Sequence, residues 1–274
     1  MTASPREQFT RIAQGPEASV DLAEAALWIA AESCPELDVN AQLAKLDALA
    51  EAVRREIAPD AATPDQVSVI NRELFGVHGF HGARDDYYDP RNSFLHEVLA
   101  RKTGIPISLS VVYIEVARRI GLDANGVNFP GHFLVRVGQE PVIVDAFEGR
   151  TASRAECTLR LRAALGPEAE LDDEQLAPAG PKQILLRMLG NLKSIHAGKQ
   201  DFESALACCD RSLLLFPEAP TELRDRGLMY HALECPRPAL SDLERYLELL
   251  PEGEGNAQIR HLVGQLHADL PPIH

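Results

Sequence analysis

Residues 103–122, TGIPISLSVVYIEVARRIGL, and residues 123–147, DANGVNFPGHFLVRVGQEPVIVDAF, decide the fold. Gly104 and Pro106 close a loop, after which Val111, Val112, Ile114, Val116 and Ile120 follow without a breaker. Their β-branched side chains alone would suit a strand. Glu115, Arg118 and Arg119, however, fall on one side at helical spacing, and Gly121 supplies a C-terminal stop. The stretch 108–120 therefore reads as a largely buried helix.

Two strands are expected next. His132, Leu134 and Arg136 alternate with Phe133, Val135 and Val137, and Gly138-Gln139-Glu140-Pro141 separates them from Val142-Ile143-Val144-Asp145. Pairing Gly138 with Pro141 sets Leu134 opposite Asp145. His132 shares the face of Leu134, so it lies diagonally from Asp145, about 7–8 Å away at Cα. A loop of even length keeps this parity and an odd one breaks it. The order is then a helix N-terminus, a histidine and an aspartate, which are the parts of a nucleophile, a base and the group that orients the base.

That order, with a nucleophile at a helix N-terminus, a strand histidine and an aspartate on the following strand, resembles the transglutaminase-like superfamily. More narrowly, GIPISLSVVYIEVARRIGL with NFPGHFLVRV and VIVDAF is similar to a bacterial subfamily that joins a transglutaminase-like core to tetratricopeptide repeats, loosely called a regulator of invasion genes. The resemblance covers about residues 20 to 270. It implies an α+β, papain-like core, and it matches His132 and Asp145 to the superfamily's catalytic histidine and aspartate. It also implies a cysteine at the start of the helix, where this chain has Ile107, Ser108, Leu109 and Ser110.

Ser108 is the nearest chemical substitute, and the exchange matters. A thiol ionises near pH 8.5, and a helix N-terminus lowers that further. A serine hydroxyl has no such reserve and needs a placed base and an oxyanion hole. Ser108 also has a plain structural role as N-cap of the helix it begins. His132 likewise could be a half-buried strand histidine bonded to a neighbour.

The chain has 274 residues, 45% of them apolar and 25% charged, enough for one large or two modest soluble domains. A net charge of −14 leaves no surplus of Lys or Arg to replace phosphate counterions, which argues against nucleic acid. The apolar run 23–31 contains Glu24 and is too short to span a bilayer, so no membrane partner is expected. No secretory leader is legible. Cys34, Cys157, Cys208, Cys209 and Cys235 form no CxxC pair and point to a reducing cytoplasm.

Upstream, residues 1–17 are polar and read as frayed. A helix follows from Asp21 as N-cap through Leu22, Ala25, Ala26, Ile29 and Ala30, and another runs from about Asp38 to Ile57. A third starts at Pro64, capped by Thr63, and reaches Phe75. GVHGFHGARDDYYDPRN, residues 76–92, is loop chemistry. His78, His81, Asp85 and Asp86 invite a metal reading, but a loop rimming the site with aromatic side chains explains them with no metal or cofactor. Asp89 with Pro90 opens a helix reaching Lys102, and residues 151–164 carry a short helical pattern after the turn at 147–150.

Residues 166–182 read as a Pro- and acid-rich linker. Beyond it the chain repeats: Ala205 aligns with Ala239, Leu206 with Leu240, Leu213 with Leu247 and Pro217 with Pro251, each offset being 34 residues. This is the helix-turn-helix period of tetratricopeptide repeats. Residues 256–270 form one further helix that could cap the array.

The expected architecture is thus an α+β transglutaminase-like domain over 1–165, with a helical lead at 20–102 and its core helix and hairpin at 104–147. A linker at 166–182 leads to an all-α tetratricopeptide module over 183–274. The expected function is a non-catalytic or vestigial domain fused to a module that binds a protein or peptide, in a regulatory or scaffolding role. The alternative is a serine-dependent acyl hydrolase or peptidase using Ser108, His132 and Asp145.

Overall fold

Burial of one helix organises the first part of the chain. In the computed structural model, which describes residues 3–253 and 255–270, helix α6 (Pro106–Arg119) has every side chain from Pro106 to Ala117 buried. Strand-prone residues are helical here because enclosure on all sides outweighs a propensity difference of a few tenths of a kcal/mol per residue. Gly121, at φ 93, ends the helix in the left-handed region that favours glycine. Arg118 then donates to the Ala124 carbonyl at 2.8 Å and fixes the exit toward the sheet.

Helices α2 (Leu22–Ser33), α3 (Val39–Glu56) and α5 (Leu95–Arg101) pack on α6, α1 (Pro5–Gln14) packs on α2, and α4 (Thr63–Asn71), which continues as a π-helical turn over Arg72–Val77, packs on α3. Two-residue strands β1 (His81–Gly82) and β2 (Thr103–Gly104) pair in parallel. The main sheet is a four-stranded antiparallel meander of β3 (Ala124–Val127), β4 (Leu134–Val137), β5 (Val142–Asp145) and β6 (Arg150–Thr151). Val135 pairs with Val144 and Val137 with Val142, the register expected from the four-residue turn. Helix α7 (Arg154–Leu165) places Cys157 and Leu161 in one apolar cluster with Val127, Leu134 and Ile143 of the sheet.

Several expectations need correction. Residues 5–14 are not frayed. Ser4 and Glu7 form a reciprocal capping box, and Phe9 and Ala13 of α1 are buried. The sheet has two strands beyond the expected pair, since Gly126 and Asn125 hide the alternation of β3. Asp89 caps only a 3-10 turn over Pro90–Asn92, and α5 begins later, at Leu95. Ala62 rather than Thr63 precedes the first turn of α4. Residues 166–182 also behave differently from a free linker. Leu176 joins the sheet cluster, and the Ala179 N–H donates to the Gly126 carbonyl at 2.7 Å.

The chain divides into two compact units between Met188 and Leu189, inside α8 (Pro181–Gly198) rather than ahead of it. The second unit continues with α9 (Phe202–Leu215), α10 (Pro220–Ala232), α11 (Pro236–Leu249) and α12 (Asn256–Asp269). The period-related Ala205 and Ala239 are both fully buried. A Cβ at Gly227 would lie 2.7 Å from Leu243 Cγ, so α10 approaches α11 closely only because this residue has none. Ile259 and Leu266 of α12 complete the cluster of Leu213, Leu223, Leu243 and Tyr246. Lys193 reaches Glu222 at 2.8 Å and Asp225 at 2.6 Å, a buried ion-pair network within this unit.

Candidate functional site

His132 stands just ahead of β4 rather than within it. The turn Phe129–His132 is closed by the His132 N–H on the Phe129 carbonyl at 3.0 Å. Arg187 donates to the His132 carbonyl at 2.6 Å and lies over the Phe133 ring at 5.3 Å, which pins this turn from α8. Because the hairpin register sets Leu134 next to the end of β5, His132 Nε2 comes to 3.0 Å from Asp145 Oδ1. The contact is short, yet Nε2 makes no aligned hydrogen bond through it.

Asp145 is 2% exposed and holds more than the histidine. Its Oδ1 accepts the N–H groups of Phe147 and Glu148, each at 3.1 Å, and its Oδ2 accepts Arg160 Nη2 of α7 at 2.7 Å. Burial alone pushes this carboxyl up, but His132, the Glu148 N–H and the Arg160 guanidinium outweigh it and hold it below the ordinary carboxylate range. The carboxylate is therefore ionised at neutral pH. It ties together the His132 turn, the turn after β5 and α7.

Ser108 lies elsewhere in its bonding. Helix α6 starts at Pro106 with Ile105 as N-cap, so Ser108 is the third helical residue and not the cap. It is fully buried. Its hydroxyl donates to the Asn92 carbonyl at 2.6 Å, with the Ile105 carbonyl at 3.2 Å, and accepts the Ile105 N–H at 3.1 Å. A Cβ on Gly104 would approach this oxygen to 2.6 Å, so the backbone closes over it. The structure thus brings His132 and Asp145 together and gives the Ser108 hydroxyl to the backbone around it. Among the described residues Ser108 makes no hydrogen bond to His132.

An aromatic series leads outward from the histidine. Phe147 meets His132 edge-on at 6.3 Å, Tyr87 meets Phe147 at 6.3 Å, and Tyr88 meets Tyr87 at 5.3 Å. Phe147 also lines a cleft of about 570 Å³, together with residues of the 80–86 loop, Phe75, Asn92, Arg101, Thr103, Glu148 and Gly149. The loop histidine His81 uses its ring on the Gly79 carbonyl at 2.9 Å and on Thr103 Oγ1 at 3.2 Å. Among the described residues no group of three or more His, Cys, Asp or Glu side chains is arranged to hold a metal ion. Arg160, Arg187 and the carbonyl of Asn92 were not legible as parts of this site, since each acts through a long-range backbone or ion-pair contact with no local motif.

The same elements are matched by known proteins. The family model described as transglutaminase-like superfamily matches residues 40–190, over half of the chain. The chain belongs to the transglutaminase-like superfamily. A model described as tetratricopeptide repeat matches residues 192–264. A UPF0162 protein of Xylella fastidiosa is 41% identical over 263 residues, covering 93% of each chain. A UPF0162 protein of Pseudomonas aeruginosa is 34% identical over 255 residues, again 93% of each. Protein SirB1 of Salmonella typhimurium is 30% identical over 219 residues, 79% of this chain and 81% of its own. No solved structure matches. No helix among the described residues is long and apolar enough to cross a membrane.

Proposed function

We propose that the first unit is a transglutaminase-like domain without a working nucleophile, and that the repeat module binds a protein or peptide. The whole chain then serves a regulatory or scaffolding role in the cytoplasm. One observation carries this reading. The hydroxyl nearest the nucleophile position is fully buried and bonded to the Asn92 carbonyl and the Ile105 N–H. A general base must lie within hydrogen-bond reach of the proton it removes, and this proton is directed at a backbone carbonyl. The His132–Asp145 contact then serves the architecture, since Asp145 already anchors two backbone N–H groups and Arg160.

The test is chemical labelling of the full chain. The natural protein is expected to stay unlabelled by a fluorophosphonate probe. Ser108→Cys should react with iodoacetamide more slowly than the exposed Cys235, because position 108 is closed to solvent. The second reading, a serine-dependent acyl hydrolase or peptidase using Ser108, His132 and Asp145, is favoured by the 3.0 Å approach of His132 to Asp145. Stoichiometric fluorophosphonate labelling at Ser108 would establish that reading and remove ours.

A further inference from the structure

The cleft beside Phe147 carries a second binding chemistry. Its aromatic and aliphatic lining comes from Phe75, Phe80, Ala83 and Phe147, and its charges from Arg84, Asp85, Asp86, Arg101 and Glu148. The Arg84 guanidinium sits 5.3 Å from the centroid of the Phe147 ring and donates to Glu148 Oε2 at 2.7 Å. An aromatic face beside a carboxylate is the arrangement that recognises a guanidinium, through the ring quadrupole on one side and charge-assisted hydrogen bonds on the other. Yet the Arg84 side chain is 63% exposed. A surface pair of this kind is weakly held, so the arginine can swing into solvent at little cost.

We propose that this cleft receives a cationic side chain, arginine above all, from a partner polypeptide, and that Arg84 is the built-in competitor occupying its place. Charge supports the direction. Arg101 is committed to Asn92 Oδ1 at 3.1 Å, so once Arg84 leaves, the carboxylates of Asp85, Asp86 and Glu148 face one remaining arginine. The volume of about 570 Å³ exceeds one side chain and leaves room for the flanking backbone of a peptide.

The receiving wall is fixed before any ligand arrives. Asp145 holds the N–H groups of Phe147 and Glu148, and His132 packs edge-on against Phe147 with an interplanar angle of 88°. Gly82 backs the same ring so closely that a Cβ there would lie 2.6 Å from it. The histidine and aspartate thereby act as positioning residues for a binding surface, a role that needs no nucleophile. The residues lining the cleft all belong to the first unit and do not include Ser108, so a titration that reads them tests this proposal apart from the nucleophile question.

The experiment titrates the ¹⁵N-labelled full chain with N-acetyl-arginine N-methylamide and, in parallel, with its neutral citrulline counterpart. Amide shifts are expected at residues 82–86 and 147–149 with the arginine compound and not with citrulline. Arg84→Ala should tighten binding about fivefold, the combined worth of one exposed cation–π contact and one surface ion pair. Glu148→Gln should weaken it by a similar factor. Equal response to citrulline, shifts confined to other surfaces, or an Arg84→Ala protein that binds no better than the natural one would overturn the proposal. Both variants change exposed or half-exposed side chains, so unaltered spectra outside the cleft will report intact folding.

Discussion

Replacing Asp145 by asparagine removes one charge and little volume from the point where three segments of the first unit meet. The introduced side chain keeps one carbonyl oxygen, which can still accept the Phe147 and Glu148 N–H groups, but its amide would then face Arg160 with a donor against a donor. Losing a hydrogen bond to a charged partner costs about 1.5–3 kcal/mol. Arg160, whose side chain is 34% exposed, regains water and takes back part of that. The expected loss is about 2 kcal/mol. The sign with pH is fixed by the depressed carboxyl of the folded state. Its stabilisation is present above the unfolded value, near 3.9, and is lost as pH falls through the lower folded value. The gap between the natural protein and Asp145→Asn should therefore be full at pH 7 and shrink below about pH 4. Trp28, the single tryptophan, lies in α2 of the first unit, so urea titration followed by its fluorescence isolates the relevant transition. A gap that stays the same from pH 7 down to pH 3 would refute the charge argument. No gap at pH 7 would refute the anchoring role as well.

Three further outcomes are expected. Lys193→Met should destabilise the second unit by about 3–5 kcal/mol, because Glu222 and Asp225 lose their common buried cation, and calorimetry will show the transition of that unit moving alone. His96 has a buried Nδ1 without a hydrogen-bond partner, and burial, opposed by Glu97 and aided by Lys45, depresses its ionisation. The unfolded chain then binds the proton better, so stability should decline as pH falls below about 6.5, and His96→Gln should flatten that decline in acid titrations. Among the cysteines, Cys235 should alkylate first. Cys209, fully buried and with its thiol pushed up to about 12, should resist until the second unit unfolds; mass spectrometry of partially labelled protein will order them.

Local patterning determined much of this protein. The 34-residue offset between Ala205 and Ala239 is a packing constraint repeated in sequence, because close helix approach requires a small residue at the same place in each repeat. The parity of the hairpin followed from strand alternation and a four-residue turn, and the observed pairs Val135–Val144 and Val137–Val142 keep it. The transglutaminase-like pattern was legible for the same reason, since its residues lie within one helix and one hairpin. What the sequence left open depends on groups far apart in the chain. Ser108 carries the same hydroxyl whether it caps, attacks or bonds a carbonyl. Only the approach of Asn92, 16 residues upstream, assigns that proton. Asp145 is shared with Arg160 because α7 packs its length against the sheet. Residues 5–14 look polar and frayed until Phe9 finds an apolar pocket that other helices supply. In each case the deciding contact comes from a distant segment, and tertiary packing fixes energies that local sequence does not contain.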